Sequence, residues 1–372
     1  MKDKRNKIII PLISVFLGIL LGVIVLELTG KNSADLFSGL LRAGTGIDLS
    51  RGKVNLRFFG EFLVTSMPII LTGLSIGFAY RTGMFNIGCE GQVIVGSLIS
   101  CIFALVVPLP SAFAVVICVI AGGVGGALWA FIPGILKSKF NISEVVTGIM
   151  LNYTALYGAN YFLKLLPAGI NVDQTAEIPA EASLASPFLK GLTNNSRLHW
   201  GIIVVILAVV AYWFIIEKTS FGYSLRATGF NSEAARYAGI KVKKNIVTSI
   251  MISGFLAGLA GALIVLGTFG YGRVMVSMEQ YGFDGIAVAL VGLGNAVGIV
   301  LSGFLFGLLK VAQTQLQANG IPKEIGEIIA SSIVFFVAIQ YAISLYGGAF
   351  IEWIKKKVPT KQKQSSKEEG VK

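Results

Sequence analysis

Three polar clusters interrupt stretches that are otherwise apolar, and they are where this chain could do chemistry. The first is Asn86-Ile-Gly-Cys-Glu90-Gly-Gln92, the second Gln280-Tyr-Gly-Phe-Asp284-Gly, and the third Ser143-Glu-Val-Val-Thr147 followed by Asn152 and Tyr153. An ionisable group inside a membrane costs about 2.5–3.5 kcal/mol on insertion scales, so its presence there points to function. Glycines flank both Glu90 and Asp284. A helix broken at such a place frees backbone groups, which must line a cavity or pair with protein. Two glycine-flanked carboxylates, one in each half of the chain, match the discontinuous-helix signature of transporters. Taken singly, each residue also has a structural reading. Glu90 and Asp284 could cap half-helices, and Asn152 could make one interhelical hydrogen bond.

The elements that must position these residues follow from composition. Of 372 residues, 54% are hydrophobic and only 13% charged, against roughly 25% charged in soluble domains. Mean hydropathy is +0.77. These values exclude an ordinary cytosolic enzyme, a disordered chain and a nucleic-acid binder. At roughly 20 residues per crossing, the chain can supply about ten membrane helices. The expected fold is therefore an all-α polytopic membrane protein. Its spans are read at Ile8–Leu28, Phe58–Tyr80, Val93–Val107, Phe113–Leu136, Ser143–Leu166, His199–Ile216, Ile246–Phe269, Gly282–Leu293, Asn295–Gln317 and Ile325–Tyr346. The run Ala121–Ala127 is rich in small residues, which let membrane helices approach closely. Spans two to five and seven to ten would form inverted repeats. The organisation is then a terminus, first span and outer loop over 1–57, a membrane core over 58–346 with a charged loop at 217–244, and a basic tail over 347–372.

The net charge of +12 reads as sidedness. With both termini cytoplasmic, 20 of the 31 basic residues fall on the cytoplasmic face, as the positive-inside rule requires. The first outer loop runs against this bias, with Lys31, Arg42, Arg51, Lys53 and Arg57. Cys89, Cys101 and Cys118 lie in or beside apolar runs and read as small buried hydrophobes. One histidine, His199, cannot build a histidine metal site. The longest non-membrane segment is about 32 residues, and no phosphate-binding loop of the GxxxxGK[ST] type occurs. If ATP energises this protein, another chain supplies the ATPase.

The charged loop is the most specific signal. Asn231 suits a helix N-cap and Gly239 a C-cap. Between them Ser232–Ala238 would form a short helix with Ala235 and Ala238 on one face, suited to another protein's groove.

Four segments together carry a resemblance. They are Phe85–Gln92, Ser143–Tyr153, Arg226–Ile240 and Gly282–Ala289, and in this order they resemble the permease subunits of bacterial ABC importers. The group is the branched-chain amino acid, ribose and nucleoside permease superfamily, and the likeness is closest to its nucleoside and simple-sugar branch, over about residues 58–345. Arg197-Leu-His199 and Ile178-Pro179 look more nucleoside-like than ribose-like. Cys89 departs from the usual small residue.

The resemblance implies a plasma-membrane protein that binds no cofactor itself. It implies a second homologous permease, a double-cassette ATP-binding subunit and an extracytoplasmic substrate-binding protein, a lipoprotein in Gram-positive bacteria. Arg226, Gly229, Asn231, Ala234, Ala235, Tyr237 and Gly239 would form the loop that meets the ATPase. Asn86, Glu90, Gln92, Asn152, Tyr153, Phe283 and Asp284 would line a weakly binding polar path. Purine nucleosides such as guanosine are the expected cargo. A simple sugar, or ion-coupled secondary transport through Glu90 and Asp284, are the alternatives. A membrane enzyme and a channel fit less well, because neither a nucleophile–base arrangement nor a filter motif occurs.

Overall fold

The structure is a computed structural model and describes residues 2–48, 52–318, 320–322 and 324–339. The expected tail over 347–372 and the last part of the tenth span, 340–346, lie outside the described residues.

The chain is helical nearly throughout. The helices are α1 (Lys2–Leu28), α2 (Ser33–Thr45), α3 (Leu56–Arg81), α4 (Cys89–Val106), α5 (Ala114–Phe140), α6 (Glu144–Leu163), α7 (Pro187–Leu192), α8 (Gly201–Lys218), α9 (Ser220–Phe230), α10 (Ser232–Tyr237), α11 (Val242–Leu263), α12 (Tyr281–Val291) and α13 (Ala296–Ala318). A π-helical turn, Ile264–Phe269, extends α11, and residues 324–339 are helical. A two-residue antiparallel hairpin, β1 (Ile47–Asp48) and β2 (Lys53–Val54), stands between α2 and α3.

Among the described residues, six helices are long and apolar enough to cross a membrane: Leu56–Arg81, Cys89–Val106, Ala114–Phe140, Gly201–Lys218, Val242–Phe269 and Ala296–Gln317. Ile13–Leu28 and Tyr281–Val291 are shorter apolar helices. The expected fifth span, α6, is helical but falls below that apolarity, because Asn152, Tyr153, Tyr157, Asn160 and Tyr161 interrupt it. The expected outer loop 29–57 contains a capped helix. Asn32 Oδ1 accepts from Ala34 N at 2.9 Å, and α2 then lays Leu36, Gly39 and Ala43 against the bundle.

α3 and α11 are buried over most of their length and form the centre, whereas α5 and α8 expose broad apolar faces. The packing repeats in two sets: α11 lies against α4 and α5, and α3 against α12 and α13, while α3 and α11 also touch each other. Small residues make the first set possible. A Cβ on Gly258 of α11 would collide with the Gly122 carbonyl oxygen of α5. One on Gly96 of α4 would in turn collide with the Gly258 backbone. Three helices therefore meet at backbone distance, the geometry that small residues permit in membranes.

Gly258→Val is expected to abolish recovery of monodisperse protein in detergent, because backbone rather than a flexible side chain stands in the way. Gly191→Ala, with open space around the added methyl, is expected to leave recovery unchanged. Size-exclusion chromatography of the two variants checks both.

Candidate functional site

The chain leaves α3 at Arg81, turns through Gly83 at φ 76° and returns into the bundle before α4 begins at Cys89. Side-chain amides hold this return segment. Asn86 Nδ2 donates to Gln92 Oε1 at 2.8 Å and to Ser253 Oγ at 2.7 Å, and Gln92 Nε2 donates back to Asn86 Oδ1 at 3.1 Å. Ser253 Oγ donates to the Ser75 carbonyl at 2.7 Å, which ties the segment to α3 and α11 together. Asn152 of α6 closes the other side. Its Oδ1 accepts from Gly91 N at 2.8 Å, and its Nδ2 donates to the Ile87 carbonyl at 3.0 Å. Asn86, Glu90, Gln92 and Asn152 are all buried, so the structure brings these four together.

Glu90 reaches across to the second half of the chain. Its Oε1 accepts from Gln280 N at 2.9 Å and its Oε2 from Gly282 N at 2.5 Å. These amides sit at the N-terminus of α12, where backbone N–H groups lack helical partners. A carboxylate there also meets the positive end of the helix dipole. Gly282 is required by the approach, because a Cβ would collide with the Glu90 backbone. The two broken helices thus start side by side. Asn152 caps α4, and Glu90 of α4 caps α12.

Asp284, on the same first turn of α12, faces elsewhere. It accepts from Lys310 Nζ of α13 at 2.7 Å, and the same ammonium lies 4.5 Å from the centroid of the Tyr281 ring. Open clefts converge on this turn. One is narrow, about 20 Å³, and is lined by Glu90, Ile94, Phe269, Tyr271, Arg273 and Tyr281. Arg273 stacks on Phe269, with its guanidinium carbon 3.4 Å from the ring centroid, and pairs with Glu279. A second cleft, of about 510 Å³, runs along Arg57, Glu61, Arg197, Tyr281, Lys310 and Gln315. The second is of a size that suits a small ligand, whereas the first has room for about one water.

Tyr153 and Phe283 are not part of the buried cluster, being 53% and 40% exposed. Tyr153 instead begins a stripe on α6 with Tyr157 and Tyr161, which are also exposed. The composition of α6 contained that signal, as three tyrosines at helical spacing. Lys310 and Tyr281 also belong to the site and were missed as site residues. The detectable sign was that Lys310 is a lone charge inside an apolar run.

The charged loop folds as α9 and α10. Asn231 Oδ1 accepts from Glu233 N and Ala234 N, both at 3.0 Å, and Gly239 follows α10 at φ 81°. Ala235 and Ala238 do not share an environment. Ala235 turns inward and is buried, while Ala234 and Ala238 are exposed. A helix of six residues has room for one inward position. Phe230 and Tyr237 project 91% and 98% exposed. The Gly229 backbone lies against Gly83 at the end of α3. Glu217 accepts from Arg226 at 2.9 Å and from Arg81 at 2.6 Å. Arg81 Nη1 in turn donates to the Gly294 carbonyl at 3.3 Å, which also accepts from Tyr212 at 2.7 Å. Gly294 lies just beyond α12, so a chain of contacts joins the exposed loop to the helix that Glu90 caps.

Residues 58–339 match the family described as the permease component of the branched-chain amino acid transport system. The chain is 42% identical to the guanosine ABC transporter permease protein NupP of Bacillus subtilis, over 94% of this chain and 98% of that protein. It is 37% identical to the nucleoside ABC transporter permease protein NupB of Lactococcus lactis, over 93% and 94% of the two chains. It is 33% identical to the glucose ABC transporter permease protein TsgB13 of Haloferax volcanii, over 74% and 75%. No solved structure matches. The chain belongs to this permease family and is a multi-pass membrane protein.

Removing the Glu90 carboxylate would leave two amides at a helix start without their acceptor. Glu90→Ala is expected to destabilise the protein by about 1.5–3 kcal/mol, the range for hydrogen bonds to charged groups. Glu90→Gln, which keeps one acceptor, is expected to lose less. Thermal unfolding followed with a thiol-reactive dye measures this, because Cys89, Cys101 and Cys118 are buried until the fold opens.

Proposed function

We propose that this chain is the membrane-spanning permease subunit of an ATP-driven importer of nucleosides, guanosine among them. The observation that carries the proposal is the relatedness to NupP along nearly the entire length of both chains. No ATP-binding loop occurs in the sequence, so the cassettes belong to a separate double-cassette subunit. A second, homologous permease completes the membrane part, and an extracytoplasmic binding protein delivers the substrate.

In this reading ten helices cross the membrane with both termini cytoplasmic. α3 to α6 and α11 to 324–339 form two repeats of opposite orientation, and the matching packing of α3 on α12 and of α11 on α4 supports that arrangement. The α9–α10 loop meets the ATPase. Phe230 and Tyr237 are its anchors, because large exposed aromatics gain most when a partner groove covers them. Movement of the loop travels through Glu217 and Arg81 to the far end of α12, and shifts the turn around which the clefts open. The substrate path runs along Asn86, Glu90, Gln92, Asn152, Phe283 and Asp284, with Tyr153, Tyr157 and Tyr161 facing the second permease. Tyrosine hydroxyls facing hydrocarbon would lack partners, which favours a wet or protein-covered face. The structural bonds of the four buried residues make them the frame of the path, and the wider cleft beside Tyr281 its open part. A simple sugar is the second reading, supported by the likeness to TsgB13.

Uptake of labelled guanosine by proteoliposomes holding both permeases, the ATPase and the binding protein tests the function. Uptake that requires ATP and all components is expected. Uptake by this chain alone in response to an ion gradient would overturn the proposal. In the complete importer, Phe230→Ala with Tyr237→Ala is expected to lower uptake at least about tenfold, from loss of interface anchors, with the permease still present in the membrane. Unchanged uptake would remove the coupling role of α10.

A further inference from the structure

A third cleft lies on the other side of Lys310, between α12, α13 and residues 324–339; Asp284 of the path above borders it. We propose that it is a subsite for the vicinal diol of a neutral, sugar-bearing ligand. On the nucleoside reading, on which this identification rests, that diol belongs to the ribose.

The cleft holds about 190 Å³ and is lined by Gln280, Asp284, Lys310, Gln313, Glu327 and Ser331. Pockets for whole drug-sized ligands run to about 300–1,000 Å³, so this smaller cleft suits one part of a ligand, such as a sugar edge. The groups are of mixed kind, which decides the chemistry. Two carboxylates can accept hydrogen bonds from hydroxyls, while the ammonium and the amides can donate to them. A pair of adjacent hydroxyls both donates and accepts, so it can engage both kinds at once. Phe306 and Leu309 form an apolar wall on the α13 side, against which the C–H face of a sugar can pack.

The charge balance argues against an anion. Lys310 already faces Asp284 at 2.7 Å, and Glu327 adds a second negative charge. A phosphate would meet two carboxylates against one paired ammonium, whereas a neutral ligand leaves that pair intact. The pair is also not closed off. The Asp284 and Lys310 side chains are 29% and 32% exposed. An ammonium has three donors and a carboxylate about four lone-pair sites, so one bond between them leaves capacity for a ligand. Lys310 borders the second cleft as well, and a ligand held here would lie next to the turn that Glu90 caps.

The test compares uptake of tritiated guanosine and tritiated 2′,3′-dideoxyguanosine by the complete importer with wild-type chain, with Gln313→Leu and with Glu327→Gln. The same binding protein is used throughout, so its own preference cancels between variants. The preference for guanosine over the dideoxy compound is expected to fall at least about tenfold in each variant, a change of about 1.4 kcal/mol. An unchanged preference in both variants, with uptake retained, would overturn the subsite. Either variant suffices if the other does not assemble. If the wild-type importer takes up glucose and not guanosine, the nucleoside reading fails, and glucose against 2-deoxyglucose and 3-deoxyglucose puts the cleft to the same comparison. A fall of the same size would support the subsite and an unchanged preference would overturn it.

Discussion

The structure depends on how two helices can begin inside an apolar bundle. Each helix start carries backbone N–H groups with no helical acceptor, and an unpaired polar group in such surroundings costs several kcal/mol. α12 meets this constraint with the carboxylate of Glu90, which takes the amides of Gln280 and Gly282. α4 meets it with the Asn152 amide, which takes Gly91 N. The same contacts hold the two halves of the chain together, because Glu90 belongs to α4 and its partners to α12. One cleft borders that junction, where residues 270–280 run as non-helical backbone.

α12 is therefore fastened at both ends. Glu90 holds its start, and beyond its end Gly294 accepts from Tyr212 and Arg81. Arg81 shares Glu217 with Arg226 of the exposed loop. A displacement of the loop can reach the cleft-lining turn through one short rigid helix. The energetics suit a moving part. The ion pairs that join the loop to this end are partly exposed, each worth little alone, while the Tyr212 bond to Gly294 and the Glu90 junction are buried. The weak links lie toward the loop, where an external partner would act.

Much of this plan was legible in the sequence. Gly88 and Gly91 around Glu90, and Gly282 and Gly285 around Asp284, marked both broken helices. Asn231 and Gly239 marked the two ends of the loop helix, and the small residues of Ala121–Ala127 marked a place where helix backbones meet. Partner identity was not legible. Glu90 and Gly282 are 192 positions apart, and no local pattern says that one caps the other, or that Asp284 turns instead to Lys310. The direction of a side chain on a short helix was equally hidden. Ala235 lies inward and Tyr153 outward because of what packs beside α10 and α6, which spacing alone does not encode. The basic residues of the first outer loop looked anomalous for sidedness. The fold adds that α2 lies against α13 with its apolar side, and that Arg42 lies over Phe58 at 4.5 Å.

The Glu90 carboxylate holds the start of α12, and the joining of the two halves follows from those bonds. Hydrogen–deuterium exchange of the peptide spanning residues 276–284 measures that hold directly, in the purified protein with Glu90 and with Glu90→Ala. Slow exchange at Gln280 and Gly282 is expected in the native protein. In the variant these amides exchange much faster, while peptides from the centre of α3 keep their protection. Equal exchange at those two amides in both proteins would contradict this role of Glu90.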